Sequence, residues 1–336
     1  MKQYDHASLK KYNTFGIDCQ CQKLLIIENQ QDIDTLFEEK VFEQHFLIIG
    51  EGSNILFSKD FDGTVIRLAT KGLEIVNEDE DFVYVRAAGG ENWSDFVNFT
   101  IDNLLYGAEN LIGIPGLVGS CPVQNIGAYG TEAKDIIYQV EGHYLPNGEP
   151  FILYNEECHF AYRDSIFKNE LKEKCLITNV VFKLGKREAY RLGYQQLADK
   201  LREEGKTPNL KLVAETVLEI RNSKLPDIKV VGCAGSFFKN PVVSLEKFNE
   251  LSSKFDDLVH HPAPDGIKLA AGQLIDKCGW KNIHRGDVSV YPKQALVIVN
   301  WGNAKGKDVI DYYQEIIQSV QEKFGIVIEP EVRIIE

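Results

Sequence analysis

Apolar positions along the chain switch between two spacings, and the switches mark out alternating strands and helices. Leu24–Ile27 is a compact apolar run that predicts a strand. Asn29 follows as a helix cap, with Ile33, Leu36 and Phe37 on one helical face. Phe46–Ile49 predicts a short buried strand that ends at Gly50. Thr64–Leu68, Leu73–Asn77 and Phe82–Ala88 are rich in β-formers and predict three more. Trp93, Phe96, Val97, Ile101 and Leu104 return to helical spacing. Strands are expected again at Tyr138–Tyr144 and Leu176–Leu184, then helices at Tyr194–Arg202 and Leu212–Arg221.

Lys224-Leu225-Pro226-Asp227 reads as a hinge, because the residue before a proline avoids the helical region. Helices are expected over Leu245–Phe255 and Ala271–Cys278, with a strand at Ala295–Asn300. A long amphipathic helix then carries Val309, Tyr313, Ile316, Ile317, Val320 and Phe324, with Gly325 as its C-cap. Ile326–Ile335 predicts a last strand that Pro330 interrupts. His260-His261, with Pro262, Pro264 and Gly266 behind it, reads as a surface loop. Strands mixed with helices throughout give an α+β class. The expected boundaries lie near 68 and 222.

Composition narrows the function. The 336 residues are 44% hydrophobic and 26% charged, as in ordinary globular proteins. A net charge of -13 repels nucleic acid and anionic membranes, so an anionic ligand needs a local group of cations. Arg221, Lys224, Lys229 and Lys239 supply one; the plainer reading is a solvated face. The 7 cysteines are scattered without a Cys-x-x-Cys, which excludes a disulfide framework and a zinc site; no metal is expected. Met1–Thr14 is polar and no run is long enough to span a bilayer, so a cytoplasmic protein without membrane insertion is expected.

Two glycine-rich passages carry the candidate chemistry. Gly50-Glu51-Gly52-Ser53-Asn54 follows a buried strand directly. It is either a tight turn or a nest of amides that attracts phosphate. Residues 113–130 hold five glycines and no charged residue. Solvated loops are polar, so this one is expected against a large uncharged surface such as a flavin ring.

These passages resemble the UDP-N-acetylenolpyruvoylglucosamine reductase family. The resemblance rests on Gly50–Asn54 and on Ile114-Pro115-Gly116 running through Gly119, Pro122 and Gln124-Asn125-Ile126-Gly127-Ala128-Tyr129-Gly130. Tyr162-Arg163-Asp164-Ser165-Ile166-Phe167-Lys168 is similar to the family's active-site arginine segment. Gly235-Ser236-Phe237-Phe238-Lys239-Asn240-Pro241 is similar to its serine segment, and Glu329-Pro330-Glu331-Val332-Arg333 to its C-terminal glutamate segment. Asn13-Thr14-Phe15-Gly16 matches its N-terminus. The matches run in order along nearly the whole chain. Cys121 departs from members with a small hydroxyl residue there.

The resemblance implies a vanillyl-alcohol-oxidase-like FAD-binding module in two lobes, 1–68 and 69–221. A smaller α/β substrate-binding domain over 222–325 and a returning C-terminal strand over 326–336 would complete the chain. It implies NADPH-dependent reduction of a UDP-sugar enolpyruvyl group through FAD, by a monomer, with Arg163, Ser236 and Glu331 catalytic. FAD contacts are expected from Gly50, Glu51, Gly52, Ser53, Asn54, Ile55, Ile114, Pro115, Gly116, Gly119, Ser120, Gln124, Asn125, Gly127, Ala128 and Arg163. Tyr194, Lys224, Asn240 and Gln294 are expected at the UDP-sugar, Tyr194 being the closing tyrosine of the family's longer form. Without the resemblance, Arg163 and Glu331 read as surface charges and Gly235-Ser236 as a turn. An oxidase holding flavin covalently through His or Cys is disfavoured, because Gly50–Asn54 contains neither.

Overall fold

The strand register explains which side of each sheet is buried. In the computed structural model, which describes residues 1–205 and 207–336, Phe82–Ala88 pairs antiparallel with Cys175–Gly185. Val83, Val85 and Ala87 then share a face with Val180, Phe182 and Leu184, and all six are buried. A one-residue slip would turn the whole set outward. The sheet has five strands, in the order Pro150–Tyr154, Ile137–Tyr144, Cys175–Gly185, Phe82–Ala88, Leu73–Glu78.

The Trp93–Asp102 helix lays Trp93, Phe96 and Val97 into the same core, with the Phe96 and Phe182 ring centroids 4.2 Å apart. Asn92 caps it, its Oδ1 accepting from Ser94 N at 2.9 Å. The helix stops just before Asn103. Leu104, expected on the apolar face, has φ +56° and is 66% exposed. Leu104 N bonds Ile101 O and Leu105 N bonds Thr100 O, a Schellman ending that buries Leu105 instead. The Leu210–Lys224 helix adds Val213, Val217 and Ile220 to this core.

A four-stranded sheet takes the order Lys2–Ser8, Gln20–Ile27, Phe61–Leu68, Phe46–Ile49. Helix Gln30–Glu38 buries Ile33 and Leu36 against it, capped by Asn29 as expected.

The chain divides into two compact units. One comprises Met1–Ala7, Cys21–Glu51 and Asp62–Arg221; the other comprises Ser8–Gln20, Gly52–Phe61 and Asn222–Glu336. The second is built on a sheet in the order Gly232–Cys233, Gln294–Asn300, Val288–Tyr291, His284–Arg285. Its long helix, Gly306–Phe324, buries Val309, Tyr312, Ile316, Val320 and Phe324, and ends at Gly325 with φ +65°. Tyr312 takes the place expected of Tyr313. Its hydroxyl donates to Ile283 O at 2.8 Å and accepts from Val290 N at 2.9 Å, so the phenol is buried without loss of hydrogen bonds.

Two expectations fail here. His260–Ala263 is an edge strand rather than a loop. It pairs with Gly266–Leu269, and its edge position tolerates Pro262. The last strand covers only Arg333–Ile335, parallel to Ile55–Phe57; upstream, Pro330 makes a single bridge to Phe238. Among the described residues no helix is long and apolar enough to cross a membrane, and no cluster of His, Cys, Asp and Glu could hold a metal.

Glu109 is a buried acid at the edge of the first core. It is 1% exposed and accepts from Gly107 N at 2.7 Å. Burial raises its carboxyl above the ordinary glutamate value. A raised folded value favours the protonated group, so the stability it contributes is full below the unfolded pKa and is lost as pH rises through the folded one. Glu109→Gln is therefore expected to melt with the wild type near pH 4 and above it at pH 8, by on the order of a few degrees. Calorimetry at the two pH values checks this; a gap that does not widen with pH contradicts it.

Candidate active site

The two glycine-rich passages meet. Gly50 and Glu51 belong to the first unit, Gly52–Asn54 to the second. A Cβ on Gly50 would lie 2.9 Å from Ser120 Oγ. The Glu51 carboxylate accepts from Asn92 Nδ2 at 2.7 Å and from Gly116 N at 2.9 Å. Charge-assisted bonds of this kind are strong, and they tie passages more than sixty residues apart in sequence. The Glu51 side chain is thus engaged inside the protein.

The second passage lies close against the chain beneath it. Gly119 N bonds Gly89 O, and a Cβ on Gly119 would meet Gly89 Cα at 3.1 Å and Ile177 O at 3.2 Å. Ser120 Oγ closes a turn onto Leu117 O at 2.8 Å. Cys121 is buried, and burial pushes its thiol well up, so it is inert packing. Asn125 is fully buried: its Nδ2 donates to Glu132 Oε2 at 3.1 Å and Ala161 O at 3.0 Å, and its Oδ1 accepts from Lys134 N at 2.9 Å. Like Glu51, it braces the wall with its side chain. Ile114, Pro115, Gln124, Ile126 and Ala128 are uncharged and half-buried, with Ile114, Ile126 and Ala128 packed against the core.

Arg163 reaches this wall. Ala161 and Asp164 exchange both backbone hydrogen bonds around Tyr162-Arg163, and Arg163 takes φ +56°. Its Nη2 donates to Gly127 O at 2.9 Å. A Cβ on Gly127 would lie 3.0 Å from Glu132 Cγ and Thr131 O and 3.2 Å from Arg163 Nη1, so glycine there leaves room for both side chains.

Nearby, Tyr194 packs edge-on against Tyr129 at 5.1 Å between centroids. Arg221 lies beside the Tyr129 phenol; burial raises the phenol and lowers the guanidinium. In the sequence Arg221 stands only as one cation among four. Tyr129 is not among the expected site residues, although it stands inside the glycine-rich motif.

The second unit holds the other expected residues. Gly52 has φ +66°, and a Cβ on it would fall 2.1 Å from Tyr12 O. Thr14 N bonds Gly52 O, Cys233 N bonds Thr14 O, and Thr14 Oγ1 donates to Cys233 O at 2.6 Å. The Asn13–Gly16 motif is therefore a staple between the first glycine passage and the Gly232–Cys233 strand.

Ser236 follows Gly235, whose φ is +69° and whose Cβ, if it had one, would meet nothing within 4 Å. Phe237 N bonds Leu296 O, and Glu331 N bonds Phe237 O, each at 2.7 Å. Ser236 and Glu331 are thus brought to neighbouring positions, with Asn54 Nδ2 donating to Glu331 O at 3.3 Å. Lys239 Nζ forms an ion pair with Glu329 Oε2 at 3.2 Å. Ser53 and Ile55 flank Asn54 and are half-buried.

Asn240 and Gln294 each reach the first turn of helix Ala271–Lys277. Asn240 Oδ1 accepts from Ala271 N at 3.0 Å, and Gln294 Oε1 stands 3.1 Å from where a Gly272 Cβ would be. Lys224 ends its helix half-buried, and burial lowers its ammonium; Lys229 is exposed.

Residues 24–153 match the family described as FAD binding domain. Residues 227–335 match the C-terminal domain family of UDP-N-acetylenolpyruvoylglucosamine reductase. A UDP-N-acetylenolpyruvoylglucosamine reductase of Flavobacterium johnsoniae is 43% identical over 100% of each chain. One of Porphyromonas gingivalis strain ATCC 33277 is 44% identical over 97% of each. The crystal structure of the Thermus caldophilus enzyme superposes with a TM-score of 0.67 at 25% identity, covering 100% of this chain and 98% of that one.

Proposed function

We propose, because this chain belongs to the UDP-N-acetylenolpyruvoylglucosamine reductase family, that Arg163, Ser236 and Glu331 carry its reaction. The enzyme reduces UDP-N-acetylglucosamine enolpyruvate to UDP-N-acetylmuramate in peptidoglycan precursor synthesis, using FAD and NADPH. When bound, FAD relays the hydride of NADPH to the enolpyruvyl double bond. The wall described above fits it. Residues 113–130 carry no charge of their own, and Gly50 and Gly119 are positions where any Cβ would crowd the packing that shapes the passage. Backbone of Gly50–Asn54, Gly116, Gly119, Ser120 and Gly127 would hold the cofactor, with Ile114, Pro115, Ile126 and Ala128 as apolar contacts.

The reaction breaks one carbon–carbon π bond and forms two C–H bonds. Negative charge passes into the conjugated carboxylate as an enolate. The Arg163 guanidinium, always protonated and fork-shaped, stabilises that charge. Ser236 Oγ–H gives its proton to the carbon beside the carboxylate and regains one from solvent. Glu331 acts from its place beside Ser236, either protonated or through a cation, since two bare carboxylates would repel. Tyr194, Lys224, Asn240 and Gln294 bind the UDP-sugar, with Tyr194 closing over it. We place the enzyme in the cytoplasm as a monomer.

The observation that carries this reading is the bond from Arg163 Nη2 to Gly127 O, which sets a permanent cation on the second glycine-rich passage. Arg163→Ala is expected to leave flavin reduction by NADPH within about threefold of wild type. Flavin reoxidation by the enolpyruvyl sugar should slow by about 10²–10³-fold. Stopped-flow absorbance separates the two half-reactions; equal losses in both would make Arg163 structural.

A further inference from the structure

We propose that Lys168 is a positioning residue for Arg163, fastening the arginine's main chain so that its guanidinium stays on Gly127. This rests on the role given to Arg163 above. The two-residue turn Tyr162-Arg163 is closed by paired bonds between Ala161 and Asp164, and Arg163 occupies its left-handed position at φ +56°. Turns reserve that position for glycine or asparagine. An arginine is there for its side chain, and the backbone needs an external hold.

Lys168 supplies the hold. Its Nζ donates to Arg163 O at 2.9 Å. The base from which it reaches is fixed: Ser165 is fully buried, its Oγ donates to Val123 O at 2.6 Å and accepts from Phe167 N at 3.2 Å, and Phe167 is in the core. With the carbonyl of Arg163 anchored, the peptide that follows it cannot flip. A flip would change ψ of Arg163 and φ of Asp164, break the Asp164 N to Ala161 O bond and open the turn that carries the guanidinium to Gly127 O. The ammonium therefore acts on the reaction through Arg163 and touches no reactant.

The test is a kinetic cycle and a melting cycle on the purified flavoenzyme. Lys168→Met is expected to slow substrate-driven flavin reoxidation roughly tenfold to hundredfold, the usual effect of displacing a reacting group by about 1 Å. Reduction by NADPH should stay within about twofold. Lys168→Arg, which keeps a cationic donor, should recover most of the rate. On an Arg163→Ala background Lys168→Met should add less than about twofold, because residues acting as one unit are not additive. Lys168→Met should also lower the melting temperature of the wild type but not of Arg163→Gly, in which the turn is unstrained.

A Lys168→Met enzyme that reoxidises normally beside a slow Arg163→Ala overturns the proposal. So does one that loses as much on the Arg163→Ala background as on the wild type, which makes Lys168 ordinary scaffolding. If Arg163→Ala itself reoxidises normally, the role of Arg163 fails and the kinetic part of this proposal fails with it.

Discussion

Ser236→Ala is expected to leave NADPH bleaching of the flavin at the wild-type rate and to slow reoxidation by the enolpyruvyl UDP-sugar by about 10²–10⁴-fold, the range for loss of a general acid. The change removes one oxygen. Main-chain bonds on both sides of Phe237, to Leu296 and Glu331, hold the segment and do not involve the hydroxyl. Gly235 supplies the left-handed turn and is untouched. The loss should therefore appear in the proton-transfer half-reaction alone, with flavin content and melting temperature unchanged. Ser236→Cys, which keeps a proton donor, should recover part of the rate. Rapid-scan stopped-flow checks the split, and a Ser236→Ala enzyme with normal overall turnover refutes the assignment.

Gly52→Ala is expected to cost about 3 kcal/mol or more of stability and to strip the flavin from the purified protein. Two penalties combine there. The backbone is left-handed at φ +66°, and the new methyl would fall 2.1 Å from Tyr12 O and 2.6 Å from Asn13 Cα. Both are main-chain atoms of the staple, which no side-chain rotation can move aside. Gly16→Ala is the control, with the same φ of +66° but nothing within 4 Å of its Cβ. It should show the conformational penalty alone, on the order of 1–2 kcal/mol. The difference between the two melting temperatures isolates the clash, and the flavin-to-protein absorbance ratio reads its effect on the cofactor. Equal behaviour of the two variants contradicts this account of the staple.

Much of the fold was legible because local pattern and burial agree. Phe82–Ala88 and Cys175–Gly185 are dense in β-branched and aromatic residues, and Gly306–Phe324 keeps helical spacing over 19 residues. The errors fall where a distant partner decides. Tyr312 outranks Tyr313 on the buried stripe because Ile283 O and Val290 N satisfy its hydroxyl. His260–Ala263 has no apolar alternation and is a strand only by pairing with Gly266–Leu269.

The site divides in the same way. Ordered motifs point to Arg163, Ser236 and Glu331 as the residues proposed for the reaction. Nothing local says that Glu51 bonds Asn92 and Gly116, or that Asn125 spends its amide on Glu132, Ala161 and Lys134. Nor does sequence reveal the left-handed backbone of Arg163, without which Lys168 reads as one more surface cation.

One wall of glycine-lined backbone is proposed to serve two successive electron transfers, the first from a nicotinamide and the second to an enolpyruvyl ether. The direct measurement is flavin absorbance of the wild-type protein under anaerobic conditions, first with NADPH and then with the enolpyruvyl UDP-sugar. The account predicts a yellow protein that bleaches with NADPH and regains its colour with the sugar, forming one UDP-N-acetylmuramate per flavin. A colourless protein that takes up no FAD, or a bleached one that recolours only when air is admitted, would contradict it.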